Sequence, residues 1–158
     1  MLNIIFPRNA QIYSGYKIAL YLFYVITAIT VVRSLMHMFL KDGGAQSIAS
    51  IPLDNFTVNG AGTVISIFAF WGLSQFIIGL IYIVVGWRYK GLVPMFYLLL
   101  VFEYSMRIYL IDLKPVVHQS TPPGVIGNYY MAPITLILFF LSVSSINLCR
   151  VKPPESKR

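Results

Sequence analysis

Glu103 and Arg107 are the residues of this sequence whose types and spacing point most clearly to chemistry. They stand four residues apart in a stretch that is otherwise mostly apolar over residues 91–111, so a helix would place them on one face. Ionisable groups are rare inside a membrane, where they usually face the interior of a bundle and mark a functional site. The pair predicts either a self-neutralising ion pair, with the acid in the favourable N-terminal position, or part of a polar site.

Three more polar residues lie within apolar stretches: Arg33 and His37, one helical turn apart, and Gln75 farther along the chain. Arg33 and Arg107 each follow the start of their stretch by 16 residues, which places both about 24 Å along a helix. The sequence therefore predicts a ligand-binding site of Arg33, His37, Gln75, Glu103 and Arg107. Two arginines face one carboxylate there, so an anionic carboxylate or phosphate would balance the charge through bidentate contacts.

Each of these residues also has a purely structural interpretation. Arg33 can extend its side chain to the outer head groups, and Gln75 can form a hydrogen bond between helices. His37 is either a polar packing residue or a group that tunes the site with pH. The sequence leaves these alternatives open.

Other site chemistry finds little support in the sequence. His37 and His118 are the only histidines, and neither is paired with an acid at the spacing of metal ligands. Cys149 is the only cysteine, which excludes a disulfide or a paired-thiol motif within one chain. No serine has the flanking residues of an activated nucleophile. We therefore predict no catalytic residues, no metal and no cofactor, although the aromatic residues could also stack on a ring-containing lipid.

The elements that must position these residues are transmembrane helices. The chain has 158 residues, of which 58% are hydrophobic, and about 20 apolar residues span a bilayer. Four stretches qualify, at about 17–40, 60–87, 91–113 and 128–149. They predict an all-α four-helix transmembrane bundle, a single integral membrane domain over residues 1–158, with a basic disordered tail at 150–158. Asn59 and Asn128 are predicted to cap the second and fourth helices.

The positive charges indicate the orientation of this bundle. The net charge is +7, but the basic residues are not gathered into a patch, which argues against nucleic acid as a partner. They flank the first, second and fourth stretches, so the positive-inside rule predicts that both termini are cytoplasmic. Because Arg33 and His37 interrupt the first stretch, it is predicted to be an uncleaved helix rather than a signal peptide. The sequon at Asn55 would then face outward.

Small glycine and serine residues are frequent in the second stretch, where they permit close helix packing. They predict that this helix is central to the bundle.

The four-helix plan carries a resemblance to a known family. Four short motifs accompany it: the charged turn at Glu103 and Arg107, the Lys-Pro at 114–115, the Thr-Pro-Pro-Gly at 121–124 and the Gly-Asn at 127–128. In this plan and in these motifs, the chain resembles small bacterial inner-membrane proteins of the DoxX-like kind. The resemblance implies the topology and a bacterial inner membrane rather than a mechanism. The sequence departs from redox-associated members because it has no cysteine pair.

These observations lead to one main functional hypothesis and two alternatives. The main hypothesis is a non-enzymatic protein that binds or transports a small anionic or amphipathic molecule in an outward-facing pocket, with Arg33 and Arg107 holding the anion. Glu103 would orient Arg107 or accept a proton. The alternatives are a membrane enzyme acting on a lipid or quinone through Glu103 or His37, and an accessory subunit of a membrane complex. Expected partners are membrane lipids and either further copies of the chain or other subunits.

Overall fold

The computed structural model describes residue 5 and residues 9–144, and within this part of the chain the protein is helical and has no strand. Four helices are long and apolar enough to cross a membrane. They are α1 (Lys17–Phe39), α2 (Val58–Arg88), α3 (Val93–Leu113) and α4 (Pro123–Ser144). The prediction of an all-α fold with four helices able to span a membrane is confirmed, whereas the end of the last predicted span and the tail at 150–158 lie outside the described residues.

Two helices start earlier than the sequence predicts. Helix α2 begins at Val58, where the side chain of Thr57 accepts a hydrogen bond from the amide of Gly60 at 3.2 Å, so the predicted cap at Asn59 is wrong. Helix α4 begins at Pro123, because proline suits a first turn in which no amide needs a partner. Asn128 therefore lies inside α4, and its predicted capping role is wrong too.

The helices form two antiparallel hairpins. Helix α1 packs along α2, and α3 packs along α4, while the hairpins meet mainly where α1 approaches α4. A core of aromatic rings joins them: Phe23 of α1 contacts Tyr82 of α2 and Tyr97 of α3 at centroid distances of 5.5 and 5.8 Å. The hydroxyl of Tyr97 also donates to the carbonyl of Ala19 at 2.6 Å. These contacts fix the height of α3 relative to α1.

Helix α2 is not central, which corrects the expectation drawn from its small residues. Its most apolar window is the least buried of the four helices, since it packs closely against α1 alone. The glycines allow close packing between α2 and α1. A Cβ atom at Gly72 would lie 2.8 Å from the Cβ of His37, and one at Gly79 would lie 2.9 Å from Cγ2 of Val31. Close approach is therefore confined to the face of α2 that meets α1.

The loops after α1 and α3 close one end of the bundle, which we call the loop end. Residues 40–57 pack back on α2 through buried Ala45 and Leu53. They are tied to the loop after α3 by the amide of Gln119, which donates to the carbonyl of Ser50 at 2.8 Å. His118 Nδ1 also lies 2.8 Å from the carbonyl oxygen of Ala49. The two hairpins are thus joined at the loop end by one contact between backbone groups and one between a side chain and a backbone carbonyl.

A carboxylate organises the loop after α1. Asp42 accepts hydrogen bonds from the amides of Gly44, Gln46 and Ser47 at 3.0, 3.1 and 2.7 Å. Partial burial by itself raises the pKa of Asp42, but the hydrogen bonds from Ser47 and Gly44 outweigh it and lower the pKa to about 2. Asp42 therefore stabilises this loop as a carboxylate.

At the opposite end, which we call the terminal end, residues 9–16 run across the bundle. The amide of Gly91, between α2 and α3, donates to the carbonyl of Ala10 at 2.8 Å, and the amide of Tyr16 donates to Leu141 of α4 at 3.1 Å. This segment holds the link between the hairpins against the end of α4.

Candidate functional site

Trp71 of α2 lies at the centre of the polar residues. The guanidinium carbons of Arg33 and Arg107 are 5.6 and 5.5 Å from the centroid of its ring, within the range at which a cation is attracted to an aromatic face. The arginines of α1 and α3 therefore contact the same residue of α2, because Arg33 and Arg107 lie at the same level along their helices. We call Arg33, Trp71, Gln75, Glu103 and Arg107 the Trp71 cluster.

Arg107 and Glu103 form an ion pair within α3. Oε1 of Glu103 accepts from Nε of Arg107 at 3.1 Å and also from Nη2, and both side chains are partly exposed. This is the only ion pair among residues 9–144. Arg107 is therefore neutralised by its own helix, as the structural interpretation of the spacing predicts.

Arg33 has no such carboxylate. Its Nη2 donates to Oε1 of Gln75 at a long distance of 3.4 Å, and its Nε is buried without a hydrogen-bond partner among the described residues. A guanidinium carries five N–H donors, and a buried donor without a partner costs roughly 1–3 kcal/mol. Arg33 lies against α2 with donor capacity to spare.

A cavity of about 180 Å³ adjoins Arg33 on the side away from α2. It lies between α1, α3 and α4, and its wall includes Tyr104, Gly124, Gly127 and Asn128. A Cβ atom at either glycine would have no neighbour within 4 Å, so these positions leave space open. The side chain of Asn128 is buried, and it adds an amide to the polar groups that Arg33 and Tyr104 bring to the cavity.

His37 lies next to the Trp71 cluster but does not face the cavity. It is 3% exposed, and its ring packs on Trp71 at a centroid distance of 4.8 Å. Its Nδ1 lies 2.8 Å from the carbonyl oxygen of Gly43, so a protonated Nδ1 donates to the loop after α1. Gly43 has a φ of 60°, which glycine adopts without strain. The contact indicates that His37 fastens the loop end to α1.

The structure thus brings the five predicted site residues together: Arg33, Arg107 and His37 lie against the ring of Trp71, and Gln75 and Glu103 form hydrogen bonds with the two arginines. Sequence reasoning missed Trp71, Tyr104 and Asn128. Trp71 stands four residues before Gln75, and this spacing on a helix was the available signal that both face the same way. For Asn128, the signal was Pro123, because an earlier helix start moves the asparagine into the bundle.

Comparison with known proteins adds no assignment, since no protein-family model, curated protein or solved structure matches this chain. The resemblance to DoxX-like proteins therefore stays a prediction. Among residues 9–144, no three histidine, cysteine, aspartate or glutamate side chains are grouped so that they could hold a metal ion.

Proposed function

We propose that this protein binds a small anionic amphipathic molecule in the membrane, with the anionic group on Arg33 and in the cavity beside it. The observation that carries the proposal is Arg33 itself, which has no carboxylate partner, has a buried Nε without a hydrogen bond among the described residues, and lines a cavity. A carboxylate or phosphate can occupy two donors of one guanidinium at once. Asn128 and Tyr104 would bound the same space, and Arg107 would add positive potential.

The volume of the cavity favours a ligand of which only the polar group is enclosed. At about 180 Å³ it is smaller than the roughly 300–1,000 Å³ of pockets that enclose a drug-sized molecule. A head group fits in it, whereas the ring and tail of a quinone exceed it. The apolar part of the ligand would remain between the helices and the surrounding lipid. Because the cavity does not enclose a quinone ring, it favours a binding or transport protein over an enzyme that acts on a quinone.

The orientation and location are part of the same proposal. Arg88 and Lys90 lie at the terminal end, and positive residues favour the cytoplasm. Both termini would then be cytoplasmic and the cavity would lie in the outer half of the membrane, toward the loop end. The resemblance to DoxX-like proteins supports a bacterial inner membrane.

Trp71 offers a direct test, because the chain has only two tryptophans and the other, Trp87, is 79% exposed. In a Trp87→Phe background, the emission of Trp71 should change saturably when decyl phosphate is added to the protein in a neutral detergent. Arg33→Met should weaken binding at least tenfold, or about 1.4 kcal/mol, while Arg88→Met should not.

Two comparisons interpret the result. Inorganic phosphate separates a site for a free anion, which both probes would saturate, from a site for an amphiphile, which only decyl phosphate would saturate. Circular dichroism and thermal unfolding of each variant establish that the fold is retained. The proposal is wrong if decyl phosphate gives no saturable change, or if Arg33→Met binds it as tightly as Arg88→Met does.

A further inference from the structure

A second and larger cavity lies between α1 and α2, in the half of the bundle nearer the terminal end. This groove has a volume of about 580 Å³, and its walls include Tyr24, Ala28 and Val32 of α1 and Ile83 and Gly86 of α2. Ala28 is small and leaves a depression between larger neighbours, whereas the space at Gly86 is filled by the ring of Tyr24, whose Cε1 lies 2.8 Å from where a Cβ atom would be. The groove is separate from the cavity beside Arg33, and the function proposed above does not use it.

Two of the hydroxyl groups along the groove walls are already paired. The hydroxyl of Tyr24 donates to the carbonyl of Gly86 at 2.9 Å, and that of Thr27 donates to the carbonyl of Phe23 at 2.8 Å. Lys90 is the only charged residue of the lining, and within residues 9–144 it forms no ion pair. Its ammonium group has three donors and lies at the terminal end, just beyond the last turn of α2.

The groove is long enough for much of an acyl chain. From Tyr24 to Val32 is eight residues, or about 12 Å along a helix, and these residues are centred on Ala28, the midpoint of Lys17–Phe39. An apolar channel therefore leads inward from a cation at the terminal end to the middle of the bundle. This is the distribution of polarity in a phospholipid, which has a charged phosphate at one end and an acyl chain leading inward.

We propose that the groove is a specific site for an anionic phospholipid, whose acyl chain lies between α1 and α2 and whose phosphate binds Lys90. Charge complementarity favours this occupant, because a basic residue next to the surface attracts anionic head groups.

The test is native mass spectrometry of the full chain, released into mild detergent from vesicles of phosphatidylglycerol and phosphatidylcholine in equal amounts. The wild-type protein should retain one lipid and prefer phosphatidylglycerol. Lys90→Gln should reduce this preference at least fivefold, whereas Arg88→Gln, which removes a neighbouring cation outside the groove lining, should keep it. Ala28→Phe should fill the groove and reduce retention of both lipids at least fivefold.

Several outcomes would overturn the proposal. Equal loss of preference in Lys90→Gln and Arg88→Gln would show diffuse attraction to the membrane surface instead of a site. Unchanged retention in Ala28→Phe would place the lipid elsewhere, and Val32→Phe provides a second test at the inner end of the groove if the first variant fails to fold. A dimer that carries no lipid would assign the groove to a second copy of the chain.

Discussion

Substituting Gly72 by alanine should separate α1 from α2 at the height of the Trp71 cluster. An added Cβ would lie 2.8 Å from Cβ of His37, 3.0 Å from the carbonyl oxygen of Ser34 and 3.1 Å from the amide nitrogen of Met38. Two of these three atoms belong to the backbone of α1, so the clash cannot be relieved by rotating a flexible side chain. The helix itself must move.

The size of the effect follows from these distances. Carbon atoms in ordinary contact are about 3.5–4.0 Å apart, so α1 must shift by about 1 Å, and overpacking of this kind costs about 1–3 kcal/mol. Replacing glycine by alanine within a helix returns up to about 1 kcal/mol. With the full return, Gly72→Ala should therefore lower the free energy of unfolding by up to about 2 kcal/mol. Gly62→Ala is the matched control, because its Cβ would have no neighbour within 4 Å. Only the favourable change in helix propensity then affects the free energy of unfolding.

Both variants can be compared by reversible unfolding in mixed micelles with increasing dodecyl sulfate, followed by circular dichroism. Gly72→Ala should unfold at a lower fraction of dodecyl sulfate than the wild-type protein, and Gly62→Ala at an equal or higher fraction. In a Trp87→Phe background, Gly72→Ala should also shift the emission of Trp71. Close contact between α1 and α2 at Gly72 is refuted if Gly72→Ala is as stable as Gly62→Ala and leaves the emission unchanged.

Three further predictions test other contacts. Because the pKa of Asp42 is lowered from 3.8 to about 2, its stabilisation should be complete above pH 3.8 and be lost as the pH falls towards 2. Hydrogen bonds to a charged group contribute about 1.5–3 kcal/mol, and partial exposure reduces this, so Asp42→Ala should cost roughly 1–2 kcal/mol at pH 7. Thermal unfolding should show this difference from wild type shrinking in acid. Tyr97→Phe removes the hydrogen bond to Ala19 and should cost about 1 kcal/mol in unfolding by dodecyl sulfate, with a variant as stable as wild type counting against that bond. Glu103→Gln leaves Arg107 without its carboxylate. Decyl phosphate should therefore bind at least threefold more tightly, a gain of about 0.7 kcal/mol, in the Trp71 fluorescence assay. Weaker binding would count against an anion site.

The sequence was sufficient to predict the helices and the relative heights of their polar residues. Apolar stretches of about 20 residues specify membrane-spanning helices because every backbone polar group must be paired within the segment. Since α1 and α3 run in the same direction, counting residues from their starts placed Arg33 and Arg107 at one level, and both lie against Trp71 in the structure. This agreement follows from the constant rise per residue of a helix.

The contacts between helices could not be predicted in the same way. Whether α2 is central or peripheral depends on how the two hairpins meet, and small residues such as Gly72 and Gly79 show only that one face is close to some neighbour. The predicted start of α4 lies after the observed one, because asparagine is a good cap and Pro123 with Gly124 is typical of a loop, whereas a proline is also tolerated in the first turn of a helix. That shift of five residues concealed Asn128 as a wall of the cavity.

The energetics of Arg33 determine which interpretation of the cluster is worth testing first. An arginine at the centre of a membrane helix costs about 2.5–3.5 kcal/mol on insertion scales, which is an upper limit for Arg33 because it lies beyond the midpoint of α1, in the half nearer the loop end. Its cation–π contact with Trp71 returns about 0.5–2 kcal/mol, and the 3.4 Å bond to Gln75 adds little because it is long. Glu103 is already paired with Arg107, so it offers no compensation at hydrogen-bonding distance. A ligand with an anionic group would complete this balance, and it would raise the stability of the bundle by about 2.7 kcal/mol at 100 times its Kd. If the Trp71 cluster served assembly alone, a leucine at position 33 would pack on Trp71 without the free-energy cost of a buried and unpaired Nε. The presence of arginine therefore favours a role beyond packing.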